Sequence, residues 1–523
     1  MKEFKHFGVM IDCSRNAVMN VATIKRFIDC LQIMGYNTLE LYTEDTYEIH
    51  GEPRFGYLRG KYTAIEIKDI DRYASERGIE LIPCVQTLGH FTALIKNIEF
   101  DEIVDSNDVL FVDEEKTYKF IEKIFATLAK NFTSRRVNIG MDETFALGRG
   151  KFLDKYGFED RFSIFIRHLQ KTVEIAKKYG FTPHIWSDMF FRIATGRYSL
   201  KEKITFPEKV LSALPENVEL AYWDYDHYEK SEYDIMFECH EQFNKNIWFA
   251  GGAWSWTGFA PSNAMAIKKC KAAMQSVRKN GILDVLITMW GDDGAECSCF
   301  SLLPTLYATR RYADGETDDG KIREEFYRLF GVAFDDFLLL DLPDLEYAKD
   351  LGASKSFFYN DLFLGVYDKN VPDGCSEWYK ERAKELKGAC KRAKEYAYIF
   401  ESQAKLCEVL SIKAELGVKI RKAYRAKDKK ALKTCLRELK ETQKYAIKFH
   451  EKFCELWLLE NKPHGWEIQD ARIGGLIRRI NTCMARLQKY LSGQIEKIEE
   501  LEEEILDYKD SKRYGYIVSR NLT

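Results

Sequence analysis

Residues 6–45 read HFGVMIDCSRNAVMNVATIKRFIDCLQIMGYNTLELYTED. Two short apolar runs, 6–12 and 36–42, enclose a stretch at 21–34 whose apolar residues recur at helical spacing. Gly35 stands between that helix and the second run, where a glycine C-cap belongs. A strand, an amphipathic helix and a second strand in this order predict a parallel sheet covered by helices.

The same rhythm continues down the chain. Further strands are predicted at 79–86, 137–142, 183–188, 218–224, 247–253 and 285–290, with helices at 65–77, 115–130, 162–179, 264–279 and 302–312. Gly78 and Gly180 again separate a helix from the next strand. Eight such units favour a closed (β/α)8 TIM-type barrel over an open doubly wound sheet. No GxGxxG or GxxxxGK[ST] loop follows the first strand, which removes the usual nucleotide-binding reason for an open sheet.

After about Phe334 the texture changes, giving an expected catalytic barrel over 1–334 and a mainly α-helical C-terminal domain over 335–523. The segment 335–374 is irregular, and Lys/Glu-rich helical stretches dominate from Trp378 onward. In the last of these, Leu491, Ile495, Ile498, Leu501, Ile505 and Tyr508 recur at three- and four-residue steps, which predicts one apolar helix face packed on the barrel. Within the helical part, NKPHGWEIQDARIGGL (461–476) is unusual, because Pro463 and Gly465 interrupt the helix and present Trp466. Two readings stand: the segment reaches a catalytic mouth, its own or a dimer partner's, or it is a turn between helices with a packed Trp.

Composition narrows the function classes. Lys and Arg total 79 against 82 Asp and Glu, a net charge of −3, so no basic surface invites nucleic acid or anionic membrane. No run approaches the roughly 20 apolar residues of a membrane span. The 13 cysteines show no zinc spacing and fit free thiols in a reducing compartment. The start, MKEFKHFGVMIDCSRN, has no apolar core followed by a small-residue cleavage site, so a cytoplasmic protein is expected. No metal or cofactor is expected.

In a barrel of this class the active site occupies the C-terminal ends of the strands. The predicted ends deliver Asp12 and Arg15, Glu44 and Asp45, His90, Asp142 and Glu143, Trp186 and Asp188, then Trp223, Asp224 and Tyr225, Trp254 and Trp256, and finally Trp290 and Asp292. Carboxylates that accept hydroxyl hydrogen bonds, beside indole faces that cover C–H surfaces, are what a sugar ring needs. Each residue also has a plain structural reading. Arg15 would pair with Asp12 or Asp45, His90 would be a satisfied loop histidine, and the tryptophans would cap the core. Glu44 and Asp45 would cap the next helix. Trp254 and Trp256 alternate, so at most one is expected to face a sugar.

The sharpest local signal is NIGMDET (138–144). Ordinary glycoside hydrolysis sets two carboxyl groups on opposite sides of the scissile bond. Neighbouring residues at a strand end point in different directions, so Asp142 and Glu143 suit substrate-assisted catalysis better. There a 2-acetamido oxygen of the substrate attacks the anomeric carbon, one carboxylate steers the amide, and the other shuttles the proton.

With these motifs the chain resembles glycoside hydrolase family 20, the β-N-acetylhexosaminidases, over roughly residues 6–314. The likeness is to short bacterial members with a helical C-terminal domain. GVMIDCSR resembles the segment whose Arg holds sugar hydroxyls, implying that role for Arg15. TLGHFTAL resembles the family's histidine loop, implying His90. NIGMDET resembles the GGDE block, implying that Asp142 orients the acetamide and Glu143 is the acid/base. HIWSDM and ELAYWDYD imply pocket tryptophans Trp186 and Trp223. TMWGDDG resembles the WGE block, implying Trp290 for the acetamide cage and Asp292 for a hydroxyl. The sequence departs from the family at Met141, where the block carries glycine, and at Asp292, where Glu is usual. FAGGAWSW on the seventh strand offers no evident acetamide-binding Tyr, and Tyr225 from the sixth stands in. The resemblance implies an exo-acting retaining enzyme acting on N-acetylhexosamine-terminated oligosaccharides or glycoconjugates, with a homodimer through the C-terminal domain as one arrangement. The alternatives are another acetamido-assisted barrel glycosidase, whose DxxDxDxE pattern is absent, and a non-catalytic carbohydrate-binding barrel. The sequence leaves open whether GlcNAc or GalNAc is preferred.

Overall fold

The computed structural model describes residues 3–292, 294–344 and 352–506. Eight parallel strands close into a barrel in chain order: β1 His6–Asp12, β2 Thr38–Thr43, β3 Glu80–Val85, β4 Arg136–Asn138, β5 Thr182–Trp186, β6 Glu219–Trp223, β7 Ile247–Gly252 and β8 Asp284–Met289. The first and last strands pair in parallel, with Met10 opposite Thr288. β1, β2, β7 and β8 are buried along their whole length, as expected for strands covered by helices outside and side chains inside. The interior is filled by Met10, Tyr42, Ile82, Cys84, Trp186, Trp248 and Leu286, with the partly buried Trp223 and Trp290 packed on them.

Local chemistry fixes the connections. In Val21–Met34 the Asn20 side chain accepts from the Thr23 N–H, and Gly35 ends the helix at φ 82. Thr63 and Glu66 form a reciprocal capping box for Ala64–Ser75. The expected capping of this helix by Glu44 or Asp45 is therefore wrong. The Asp45 carboxylate, buried at the rim, instead meets the Arg59 Nε at 3.3 Å.

Six strands are shorter than predicted, and the two that lose most at their C-terminal ends, β4 and β5, lie at the site. β4 stops at Asn138, because Gly140, Met141 and Glu143 all take positive φ (69°, 70° and 52°). A Cβ on Gly140 would sit 2.1 Å from the Gln86 Oε1, so this close approach requires glycine. β5 stops at Trp186, and Asp188 opens a helix, Asp188–Thr195, rather than ending the strand.

The C-terminal region is built on helices Cys375–Cys390, Ala397–Arg425, Lys429–Glu460 and Trp466–Leu491. The single apolar helix face expected from Leu491 onward does not form. The helix ends at Leu491, and Gly493 at φ 77 turns the chain. Ile498 and Leu501 are fully buried beyond that turn, where the Ile498 N–H donates to the Tyr424 hydroxyl. Tyr508 lies outside the described residues.

Barrel and helices meet at the rim. Met19 bridges Asn461, the Asn16 side-chain amide donates to the Gly465 carbonyl at 2.9 Å, and Lys462 reaches Glu66 at 2.9 Å. Deeper in, Glu296 accepts from Lys355 at 2.7 Å and from Arg472 at 2.9 Å, with all three side chains at most 1% exposed.

Candidate active site

The loops leaving the strand ends gather carboxylates and aromatic rings at one rim of the barrel. On one side the Arg15 guanidinium lies over the Tyr42 ring at 4.8 Å and the Trp290 ring at 4.9 Å. Around it stand Asp12 at 3.3 Å, Glu44 at 3.5 Å and Asp292 at 3.7 Å. The plain reading of Arg15 as a partner of Asp12 is met, but Asp45 takes no part. Asp12 also accepts the Gly291 N–H at 3.0 Å, which ties the loop after β8 to the end of β1. Burial pushes the Glu44 carboxyl up, and Arg15 and His90 partly offset this. The Tyr42 hydroxyl donates to Glu44 at 3.0 Å.

At the centre is Asp142. Its Oδ1 accepts from the Gln86 Nε2 at 2.9 Å, and its Oδ2 lies 3.1 Å from the His90 Nε2. Burial alone would raise this carboxyl. The facing His90, the Gln86 amide and Arg15 outweigh it and hold Asp142 below the ordinary carboxylate range. Burial works against the His90 cation, yet Asp142 raises the imidazole to about 9. The pair is therefore ionic at neutral pH. His90 itself sits at φ 59, off the regular backbone, as functional loops often do.

Glu143 faces the other way. Its backbone N–H donates to the Asp188 Oδ2 at 3.2 Å, and its side chain is 42% exposed, with Oε1 3.7 Å from the Arg192 Nη2. Asp188 is fully buried and also accepts from the Arg192 Nε at 3.1 Å. Burial and the nearby Asp142 charge push its carboxyl up to about 7 against the pull of Arg192. The two neighbouring acids thus have opposite surroundings: one is locked inside by donors, the other stands at the opening.

Aromatic rings complete the wall. The Trp290 indole N–H donates to the Tyr225 hydroxyl at 2.9 Å, and Tyr225 stacks on Trp223 at 5.3 Å. Gly252, at the end of β7, makes room for this arrangement, since a Cβ there would fall 2.7 Å from Trp256 and 2.9 Å from Tyr225. Trp186 is wholly buried, 6.2 Å from Trp290, and forms the floor rather than an exposed wall. Trp254 and Trp256 do not alternate as expected. The strand has ended, and their rings stack at 4.4 Å. Trp256 meets Tyr225 edge-on, whereas Trp254 is buried under the Lys269 ammonium.

The site thus brings together Arg15, Glu44, His90, Asp142, Glu143, Trp186, Trp223, Tyr225, Trp290 and Asp292, and leaves Asp45 outside. Trp466 is 8% exposed and packs on His450, Phe453 and Trp457 within the helical region, the turn reading of that segment. Its neighbour Gly465 nevertheless touches Asn16, next to Arg15. The sequence reading missed Gln86, Tyr42 and Arg192, and it gave Asp188 no role. Gln86 closes the predicted third strand, and Arg192 lies one helical turn after Asp188, so strand ends and i,i+4 spacing were the available signals. Among the described residues no group of three His, Cys, Asp or Glu side chains is placed to hold a metal ion.

A barrel whose rim pairs a donor-locked carboxylate with an open one among tryptophans is the frame of a sugar-cleaving enzyme. The family description "Glycosyl hydrolase family 20, catalytic domain" matches residues 4–233, and "Glycoside Hydrolase 20C C-terminal domain" matches 335–518. The chain belongs to glycoside hydrolase family 20. It is similar to a β-hexosaminidase of Vibrio furnissii, 30% identical over 27% of this chain and 29% of that one. It is also similar to human hexosaminidase D, 25% identical over 40% and 43% of the two chains. The matched stretches span less than half the length of either relative. A solved β-N-acetylhexosaminidase of Bacteroides fragilis aligns at 16% identity and a TM-score of 0.48, covering 63% of this chain and 70% of that one.

Proposed function

We propose that this protein is an exo-acting retaining β-N-acetylhexosaminidase that removes non-reducing terminal β-linked GlcNAc or GalNAc by substrate-assisted catalysis. The observation that carries this reading is the division of labour at the end of β4. Asp142 is held ionised by His90 and Gln86, while the adjacent Glu143 stands at the opening. Membership of family 20 supports the same reading, as do relatives named β-hexosaminidase and hexosaminidase D.

In this mechanism the acetamide lies against Trp290 with its N–H on Asp142, Tyr225 donates to its oxygen, and the wholly buried Trp186 supports Trp290 from beneath. The amide oxygen attacks the anomeric carbon as Glu143 protonates the leaving oxygen. Asp142 balances the positive charge of the oxazolinium, and Glu143, now a base, activates the water that reopens it. Arg15 and Asp292 hold ring hydroxyls, Trp223 covers a ring face, and Trp256 takes the place expected of Trp254.

The proposal includes a barrel unit over 1–334, a helical unit over 335–523, and a cytoplasmic location, which thirteen free thiols support. It includes a homodimer through the helical unit, supported by exposed Leu458 and Leu459 and checked by light scattering. Incubation with chromogenic β-GlcNAc and β-GalNAc, with wild type and Glu143→Gln, tests the activity. Release by wild type and a loss of about 10²–10⁴-fold in the variant are expected. No release from either sugar by wild type contradicts the reading.

A further inference from the structure

On the open side of Glu143 the structure holds a second arrangement that the hydrolytic chemistry does not use. Arg192 projects from the helix Asp188–Thr195 with its Nε anchored on the buried Asp188, so its guanidinium is fixed in place. The guanidinium carbon lies 5.1 Å from the Phe145 ring and 6.0 Å from the Trp223 ring. The Phe145 ring, two residues after Glu143, is 52% exposed. Among the described residues neither Nη atom of Arg192 donates a hydrogen bond, although Nη2 is 3.7 Å from Glu143.

We infer that Arg192 and Phe145 form a leaving-group subsite for an acidic sugar, one that carries a carboxylate. The inference rests on the reading of Glu143 as proton donor. A general acid must come within about 2.6–3.2 Å of the oxygen it protonates. The first sugar of the leaving group therefore lies against whatever stands just outside Glu143, and that is Arg192 and Phe145. An exposed phenyl face suits the C–H side of a sugar ring. With Nε held by Asp188, the guanidinium presents the edge formed by its two terminal nitrogens, which matches a carboxylate better than it matches hydroxyls.

Charge points the same way. Beyond Nε on Asp188, the Arg192 guanidinium has, among the described residues, only Glu143, read here as the proton donor, near its terminal nitrogens, at 3.7 Å. Burial and the nearby Asp142 charge push the Asp188 carboxyl up to about 7, which weakens it as the counter-charge of Arg192. The Arg192 cation then lacks a full counter-charge, and a carboxylate on the leaving sugar supplies one. Because the Arg192 side chain is 25% exposed, the attraction is partly screened by salt.

The test uses the full chain and two disaccharides that differ in one group: GlcNAc β-linked to glucuronate and GlcNAc β-linked in the same way to glucose. Wild type should cleave the glucuronate compound with a kcat/KM about tenfold higher, a preference that falls as salt rises. In Arg192→Gln the ratio should drop toward one, and Arg192→Lys should keep part of it. Equal kcat/KM for the two disaccharides in wild type overturns the inference without needing any variant. So does a ratio that survives in Arg192→Gln while both rates fall, because Arg192 would then act only on Glu143. If wild type leaves even a chromogenic β-GlcNAc intact, the underlying reading of the site fails instead. Cleavage of the chromogenic sugar with no carboxylate preference sinks only the subsite.

Discussion

The Oδ2 of Asp142 lies 3.1 Å from the Nε2 of His90, in a site where both side chains are largely shielded from water. The imidazolium lowers the carboxyl pKa and the carboxylate raises the histidine to about 9, so each keeps the other charged. The ion pair is intact from the lowered pKa of Asp142 up to about pH 9. A carboxylate fixed in this way can accept an amide N–H and balance a cationic intermediate across the whole working range.

Replacing His90 with Gln removes the cation and leaves a side chain able to donate to Asp142. The Asp142 pKa should then rise, and the acid limb of kcat/KM should move to higher pH by about one unit. The pH–rate profile of His90→Gln between pH 3 and 7 is the measurement. An unchanged acid limb means that Asp142 is not the group whose ionisation matters.

Asp188 predicts an opposite dependence. Its folded pKa, about 7, lies above the value near 4 of an exposed Asp. Its stabilising contribution is complete below about pH 4 and is lost as pH rises toward 7. Asp188→Asn removes this titration. The Tm of the variant should gain on wild type from pH 4 to 7, with the gap levelling off above. A Tm difference independent of pH contradicts the assignment.

The buried Glu296 holds two cations, Lys355 and Arg472, between barrel and helices. Glu296→Gln takes the negative charge away from two buried cations, a loss of the kind that costs about 3–5 kcal/mol. Scanning calorimetry should show a clear fall in Tm. Activity measured well below that Tm should survive.

Much of this architecture was legible in the chain. The helix at Val21–Met34 and the first strand at His6–Asp12 have the bounds that periodicity and the Gly35 stop signal give. What was hidden lay where tertiary contacts override local pattern. Ile139 and Met141 continue an apolar run, but positive φ at Gly140 and Met141 turns the backbone against Gln86 and ends the strand. Alternation at Trp254 and Trp256 held no information once β7 had stopped at Gly252. Arg192 was missed because its i,i+4 spacing from Asp188 carries meaning only in the helix that starts at Asp188, where a strand was expected. The last helix failed for a local reason that was readable: Ser492 and Gly493 interrupt it, and the apolar spacing beyond masked that break.

The central claim is that the substrate's own amide performs the first attack while Asp142 steers it. It is tested most directly by kcat/KM on 4-nitrophenyl β-GlcNAc analogues whose N-acetyl methyl carries zero, one, two or three fluorines. Each fluorine withdraws electrons from the amide oxygen, so the rate should fall at every step, and the 4-nitrophenyl β-glucoside without an amide should be essentially inert. A rate that ignores fluorination, or equal turnover of the glucoside, contradicts the account.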